Sequence, residues 1–168
     1  MELEILIKLC LQQDRRAQKE LYENYKDSLY TVAYRLTRDF DLSSDLLQEA
    51  FIEAFKQLSK LKEPKFFHSW IKQILVRKAY RTLSQLKQQL PLDSIAEVSS
   101  STQFDIDYIE SAIQKLPVKS RTVFVMAEVE GFSHKEISET MSISVGTSKS
   151  QLNYAKTKLK ELLKEYVI

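Results

Sequence analysis

The sequence predicts an all-α protein made of two small helical domains joined by a short flexible linker. Three observations carry this. The 168 residues hold only two glycines, Gly131 and Gly146, and three prolines, Pro64, Pro91 and Pro117, so long stretches are free of helix breakers. Apolar residues recur at intervals of three and four through most of the chain, which is the spacing of one helical face. One interval near the middle loses that periodicity and turns polar and serine-rich. At 43% hydrophobic and 29% charged residues, the chain has enough apolar material for two cores.

Residues 2–11 read as a short amphipathic helix. Over residues 17–38 the set Leu21, Tyr25, Leu29, Val32, Ala33 and Leu36 makes one apolar stripe. Over residues 42–58 the set Leu46, Leu47, Ala50, Phe51, Ala54, Phe55 and Leu58 makes a broader one, and the two helices bury these stripes together. A turn around Lys62, Glu63 and Pro64 leads into a helix over residues 66–88, with Trp70, Ile71, Ile74 and Leu75 inward and basic residues outward. The segment QLPLDSIAEVSSSTQ then reads as linker, so the expected domains are residues 1–88 and 105–168 with 89–104 between them. In the second domain residues 105–115 are amphipathic, and Pro117 suits the first turn of a helix that runs to about Glu130, where Gly131 breaks it. Residues 123–126 favour strand, but no strand pattern of convincing length develops. Ser133 followed three residues later by Glu136 is a capping box for a helix ending at Met141. A turn over residues 141–144 then delivers Ser144 as N-cap of a last helix starting at Val145.

Several function classes drop out on composition. Cys10 is the one cysteine and His68 and His134 the two histidines, so neither a disulfide framework nor a Cys/His metal cluster can be assembled. There is no Ser/His/Asp set and no phosphate-binding glycine loop; no catalytic residue, metal or cofactor is expected. The N-terminus lacks a secretion pattern and no run of about eighteen apolar residues occurs, so the expectation is a soluble protein of a reducing cytoplasm, without direct membrane insertion.

The net charge of +2 conceals two clusters. Residues 65–87 hold six Lys or Arg and no Asp or Glu, while Lys149, Lys156, Lys158, Lys160 and Lys164 face only Glu161. Clustered positive charge without acids suits a polyanion.

The segment GFSHKEISETMSISVGTSKSQLNYAKTKLKELL has the proportions of a helix-turn-helix. In its second helix Val145, Leu152, Ala155, Leu159 and Leu162 fall on one side. Gly146, Thr147, Ser150, Asn153 and Tyr154, flanked by Lys149, fall on the other. A recognition helix needs an apolar face to hold it and hydrogen-bonding groups near its N-terminus to reach base edges and phosphates. Its outer side is neutral at the centre with lysines at the edges, unlike the alternating Glu and Lys of an ordinary solvent face. Gly146 allows close backbone approach.

The run LPVKSRTVFVMAEVEGFSHKEISETMSISVGTSKSQL, within residues 109–163, resembles region 4 of extracytoplasmic-function sigma factors of the sigma-70 family. Independently, KELYENYKDSLYTVAYRL, SSDLLQEAFIEAF and FFHSWIKQI resemble region 2 of the same family, in the family order. The resemblance covers nearly the whole chain. It implies a bacterial transcription initiation factor that binds core RNA polymerase, at the clamp coiled coil of the largest subunit and at the flap, and directs it to promoter DNA. It also implies sequestration by an anti-sigma factor. By that resemblance Asp45, Gln48, Glu49 and Ile52 would contact core polymerase, and helical spacing lets them share an outward face, whereas Phe51, Phe55 and Trp70 read as core. Lys65, Arg77, Lys78 and Arg81 would hold phosphates near the −10 element, where an unstacked base also needs planar surfaces. Gly146, Thr147, Lys149, Ser150, Asn153 and Tyr154 would read the −35 element. Gln151 and Tyr154 stand where relatives often carry arginine, and Arg77 where many carry asparagine; arginine forks guanine whereas amides suit adenine, so an A·T-richer target is expected.

Two other classes remain. A stand-alone helix-turn-helix regulator would explain the C-terminal half but not the DLLQEAF helix. A helical protein-interaction adaptor would explain the amphipathic helices but not the acid-free basic runs; a DNA reader loses affinity steeply with salt, and an adaptor joined by apolar faces does not.

Overall fold

Side-chain caps mark where four of the helices begin. In the computed structural model, which describes residues 1–89 and 106–164, the first helix, α1, covers Leu3–Leu11 and buries Leu6, Ile7 and Cys10. The second, α2 (Arg15–Thr37), starts at Asp14, whose carboxylate accepts from the Arg16 and Ala17 N–H groups at 2.8 and 2.9 Å. Its stripe of Ala17, Leu21, Leu29, Val32, Ala33 and Leu36 is buried. It ends where Arg38 turns left-handed at φ 54°. The third helix, α3 (Phe40–Gln57), begins two residues before the periodicity does, because Asp39 caps it by accepting from the Leu42 N–H at 2.8 Å. Short 3₁₀ turns at Leu58–Lys60 and Pro64–Phe66 then lead into α4 (Phe67–Gln89).

Helices α1 and α3 each pack on α2. Phe67, fully buried, joins α4 to them, with its ring 5.2 Å from that of Tyr25 and 6.2 Å from that of Trp70. Phe51 is buried as expected, while Phe55 and Trp70 are only half-buried. The buried thiol of Cys10 is pushed up to about 11 by desolvation, with Asp14 and Glu20 adding to it, so no reactive thiolate forms near neutral pH.

The chain divides into two units, Met1–Ala79 and Tyr80–Ile168, the division falling within α4. Gln89 closes that helix, and the rest of the expected linker lies outside the described residues. In the second unit, α5 (Ile106–Gln114), α6 (Val118–Phe124) and α7 (His134–Met141) are followed by α8 (Val145–Leu163), which packs against all three. Pro117 is the N-cap of α6 rather than a residue of its first turn. The helix expected to reach Glu130 changes character at Val125, where one π-turn covers Val125–Val129. The β-favouring residues thus remain helical, Val123 and Phe124 in α6 and Val125 and Met126 in a wider turn, beyond which Gly131 takes φ +73°. The capping box forms: the Ser133 N–H donates to Glu136 Oε2 at 2.8 Å, and the Glu136 N–H donates to Ser133 Oγ at 3.2 Å. Among the described residues there is no strand, and no helix is long and apolar enough to cross a membrane.

Candidate functional site

Helix α3 has two faces. Leu46, Leu47, Ala50, Phe51 and Ala54 point into the core, and Asp45, Gln48, Glu49 and Ile52 are all exposed. Ile52 is 54% exposed, an apolar centre in a polar surround. That is the composition of a contact patch, with an apolar anchor and a hydrated rim.

The basic run beside it is less free than the sequence suggests. Lys65 is exposed and its ammonium pairs with Glu63 at 2.7 Å while lying 4.9 Å from the centre of the Phe66 ring. Phe66 itself is 50% exposed, so a planar surface sits next to a cation in the turn that leads into α4. Lys78 contacts Glu53 at 2.8 Å and Glu49 at 3.9 Å, and Arg77 contacts Glu53 at 3.3 Å. Those acids come from α3, more than twenty residues away in sequence, so an acid-free window along α4 could not reveal them. Arg81, one turn further along α4, is exposed.

The Lys78 ammonium hydrogen-bonded to Glu53, with Arg77 beside it, holds the Glu53 carboxyl below the usual carboxylate range. A depressed folded-state pKa means the cluster stabilises the fold fully above that range and loses this as pH falls through the folded value. Glu53→Gln is therefore expected to flatten the acid limb of a thermal-stability profile. At neutral pH it should cost no more than about 1 kcal/mol, as surface pairs do, and it should raise single-stranded DNA affinity by releasing two cations. An unchanged acid limb would contradict this.

In the second unit Ser144 accepts from the Thr147 N–H at 2.9 Å and so starts α8. From there Gly146, Lys149, Ser150, Asn153 and Tyr154 are exposed and Thr147 is partly so, bringing the six expected −35 residues to one end and side of a single helix. Val145 departs from expectation. It is 40% exposed, and the inward seam is held one turn later by Ser148, which is fully buried. Ala155 and Leu159 continue the seam, with Leu152 and Leu162 half-buried. Of the C-terminal lysines, Lys156 pairs with Glu128 at 2.7 Å and Lys158 with Glu161 at 3.4 Å, while Lys149, Lys160 and Lys164 are exposed.

A methyl group on Gly146 would meet only Ser144 Oγ, at an ordinary 3.8 Å. Gly146→Ala should then stabilise the fold by about 0.5–1 kcal/mol, the usual helix gain of alanine over glycine. If the open backbone there meets DNA, the same change weakens −35 duplex binding about tenfold. Melting and anisotropy titrations read the two effects separately, and unimpaired binding would remove Gly146 from the interface.

The family model described as Sigma-70 region 2 matches residues 21–89, and that described as Sigma-70, region 4 matches residues 106–159. RNA polymerase sigma factor SigZ of Bacillus subtilis is 30% identical over 151 aligned positions, covering 86% of this chain and 86% of that protein. The ECF RNA polymerase sigma factor SigW of the same species is 26% identical, covering 97% of this chain and 100% of that one. Among solved structures, the sigma factor RpoE in complex with the anti-sigma factor NepR, from Bartonella quintana, gives a TM-score of 0.67 at 21% identity, covering 87% of this chain and 96% of that one. CnrH in complex with the cytosolic domain of CnrY gives 0.64 at 22%, covering 97% of each. At these identities the two structures share the fold.

Proposed function

The chain belongs to the sigma-70 family, as an RNA polymerase sigma factor of the extracytoplasmic-function type serving transcription initiation, and from that premise we propose how its surfaces divide the work. Sigma factors bind core polymerase and promoter DNA, and they are non-catalytic, so phosphodiester chemistry stays with the polymerase. Residues 1–88 act as the region 2 bundle and residues 105–168 as the region 4 domain, with 89–104 tethering them. The exposed face of Asp45, Gln48, Glu49 and Ile52 docks on the clamp coiled coil. Lys65 and Arg81, with Arg77 and Lys78 once freed from Glu53, track the phosphates of the opened −10 strand, and the exposed Phe66 ring offers a stacking surface for an unpaired base. The outer face of α8 reads the −35 element in the major groove.

The observation that carries this reading is that each of the two matched regions, in family order, presents one outward face of the required chemistry. Two weak sites on one tether give usable promoter affinity. Work in the cytoplasm and control by a separate anti-sigma protein complete the proposal. The second is supported by the structural neighbour RpoE, which is seen in complex with the anti-sigma factor NepR.

Run-off transcription with purified core polymerase lacking any other sigma, on a pooled genomic template, tests the reading. Discrete transcripts that depend on this chain are expected. Duplex binding without transcripts would favour a stand-alone helix-turn-helix regulator instead. Selection from a random pool tests the target; enrichment of G·C at the α8 contacts would overturn the A·T-rich expectation.

A further inference from the structure

Five polar side chains are fully or nearly fully buried among the described residues: Ser43, Ser120, Thr122, Thr140 and Ser148. Four of them return their hydroxyl to a carbonyl three or four residues back in the chain: Ser43 to Asp39, Ser120 to Pro117, Thr122 to Val118 and Thr140 to Glu136, Ser43 also meeting Thr37 Oγ1, six residues away, at 2.7 Å. A buried hydroxyl in a helix is usually satisfied this way and needs no neighbour. Ser148 differs. Its Oγ shares a 2.8 Å hydrogen bond with Nδ1 of His134, so the partner lies on the other helix of the helix-turn-helix.

The imidazole is itself firmly based. His134 is the first residue of α7, directly after Ser133, whose reciprocal bonds with Glu136 fix the start of that helix. Ser148 in turn is the one polar residue among the three buried in α8, and it sits between Thr147 and Lys149. At 3.6 residues per turn, neighbours on a helix point about 100° apart, so fixing the direction of Ser148 fixes Thr147 and Lys149 on either side of it. A buried hydroxyl needs a partner, and one supplied by another helix, unlike a carbonyl of its own helix, is kept only while the two helices hold their relative orientation.

We propose that His134, through its bond to the buried Ser148, is a positioning residue that sets the rotation of α8 and hence the sequence selectivity of −35 reading. This rests on α8 being the −35 reader. An apolar seam alone tolerates small rotations, because dispersion contacts carry no direction. One directional bond at the helix start removes that freedom where the base-facing residues are.

The test uses holoenzyme assembled from the full chain and core polymerase. Its probes are a duplex that the wild-type holoenzyme selects from a pool randomised at the −35 element, and a scrambled counterpart. His134→Ala is expected to lower the affinity ratio of selected to scrambled duplex about tenfold, about 1.4 kcal/mol, with affinity for the scrambled duplex unchanged. His134→Asn, whose amide stands as many bonds from the backbone as Nδ1, should restore most of the ratio. In a Ser148→Val background, His134→Ala should have no further effect on it. In the full chain, the ¹⁵N shift of the His134 imidazole should move on Ser148→Val. A ratio unchanged by His134→Ala, a parallel loss on both duplexes that follows thermal stability, or simple additivity of the two substitutions would overturn the inference. If the wild-type holoenzyme selects no sequence, the −35 reading of α8 itself fails.

Discussion

Ile52→Asp is expected to lower affinity for core RNA polymerase by about thirtyfold and to remove chain-dependent run-off transcripts at limiting factor, with no loss of fold. The reasoning begins with exposure. At 54% exposed, Ile52 contributes little to the core of its own unit, so a carboxylate there stays hydrated in the free chain. On the proposed reading the same position is the apolar anchor at one end of the docking face that also holds Asp45, Gln48 and Glu49. A charge placed there is either desolvated without a partner or holds the surfaces apart. Loss of a central interface side chain costs about 2 kcal/mol or more, which is the stated factor. Titration of labelled core polymerase, alongside circular dichroism of the variant, checks both halves. Undiminished affinity would move the docking face off this side of α3.

Phe67→Ala should have the largest effect on stability, lowering it by about 3–5 kcal/mol. The ring is fully buried, lies 5.2 Å from Tyr25 and 6.2 Å from Trp70, and occupies the first position of α4 immediately after the Pro64–Phe66 turn. Its removal leaves a cavity where α4 meets α2. A small domain is stable by only about 5–15 kcal/mol, so the melting temperature of the variant should fall by roughly 15 °C or more. The contrast with Phe66 sharpens the test. That neighbouring ring is 50% exposed, and Phe66→Ala should leave melting nearly unchanged while weakening single-stranded −10 DNA. Equal destabilisation by both would show that the turn, not the core, carries the effect.

Much of the fold was legible in the sequence because helix period, breakers and caps are local. The Ser133 capping box, the Ser144 cap and the breaks at Pro64 and Gly131 all involve residues within a few positions of one another, and all occur. What stayed hidden depends on residues far apart in sequence. Arg77 and Lys78 read as free cations because Glu53 and Glu49 reach them from another helix. Trp70 read as core, yet it is only half-buried at the edge of the Phe67 cluster. Val145 fits the inward side on a helical wheel, but a wheel ignores helix ends, and the first residue of α8 protrudes while Ser148 takes the seam. A serine on an apolar seam gives no sequence signal that a histidine fourteen residues earlier will meet it.

Glu53 also ties the two tasks of the first unit together. One carboxylate between Arg77 and Lys78 cannot neutralise them and leave them available to phosphate at the same time. Whatever draws Glu53 or the adjacent Glu49 away makes the cations more attractive to a nucleic acid strand. By thermodynamic reciprocity, a strand that takes the cations makes the acids more available to a partner on α3 by the same factor. On the proposed reading the free chain holds its polyanion site partly filled, and the degree of filling is a quantity that docking would change.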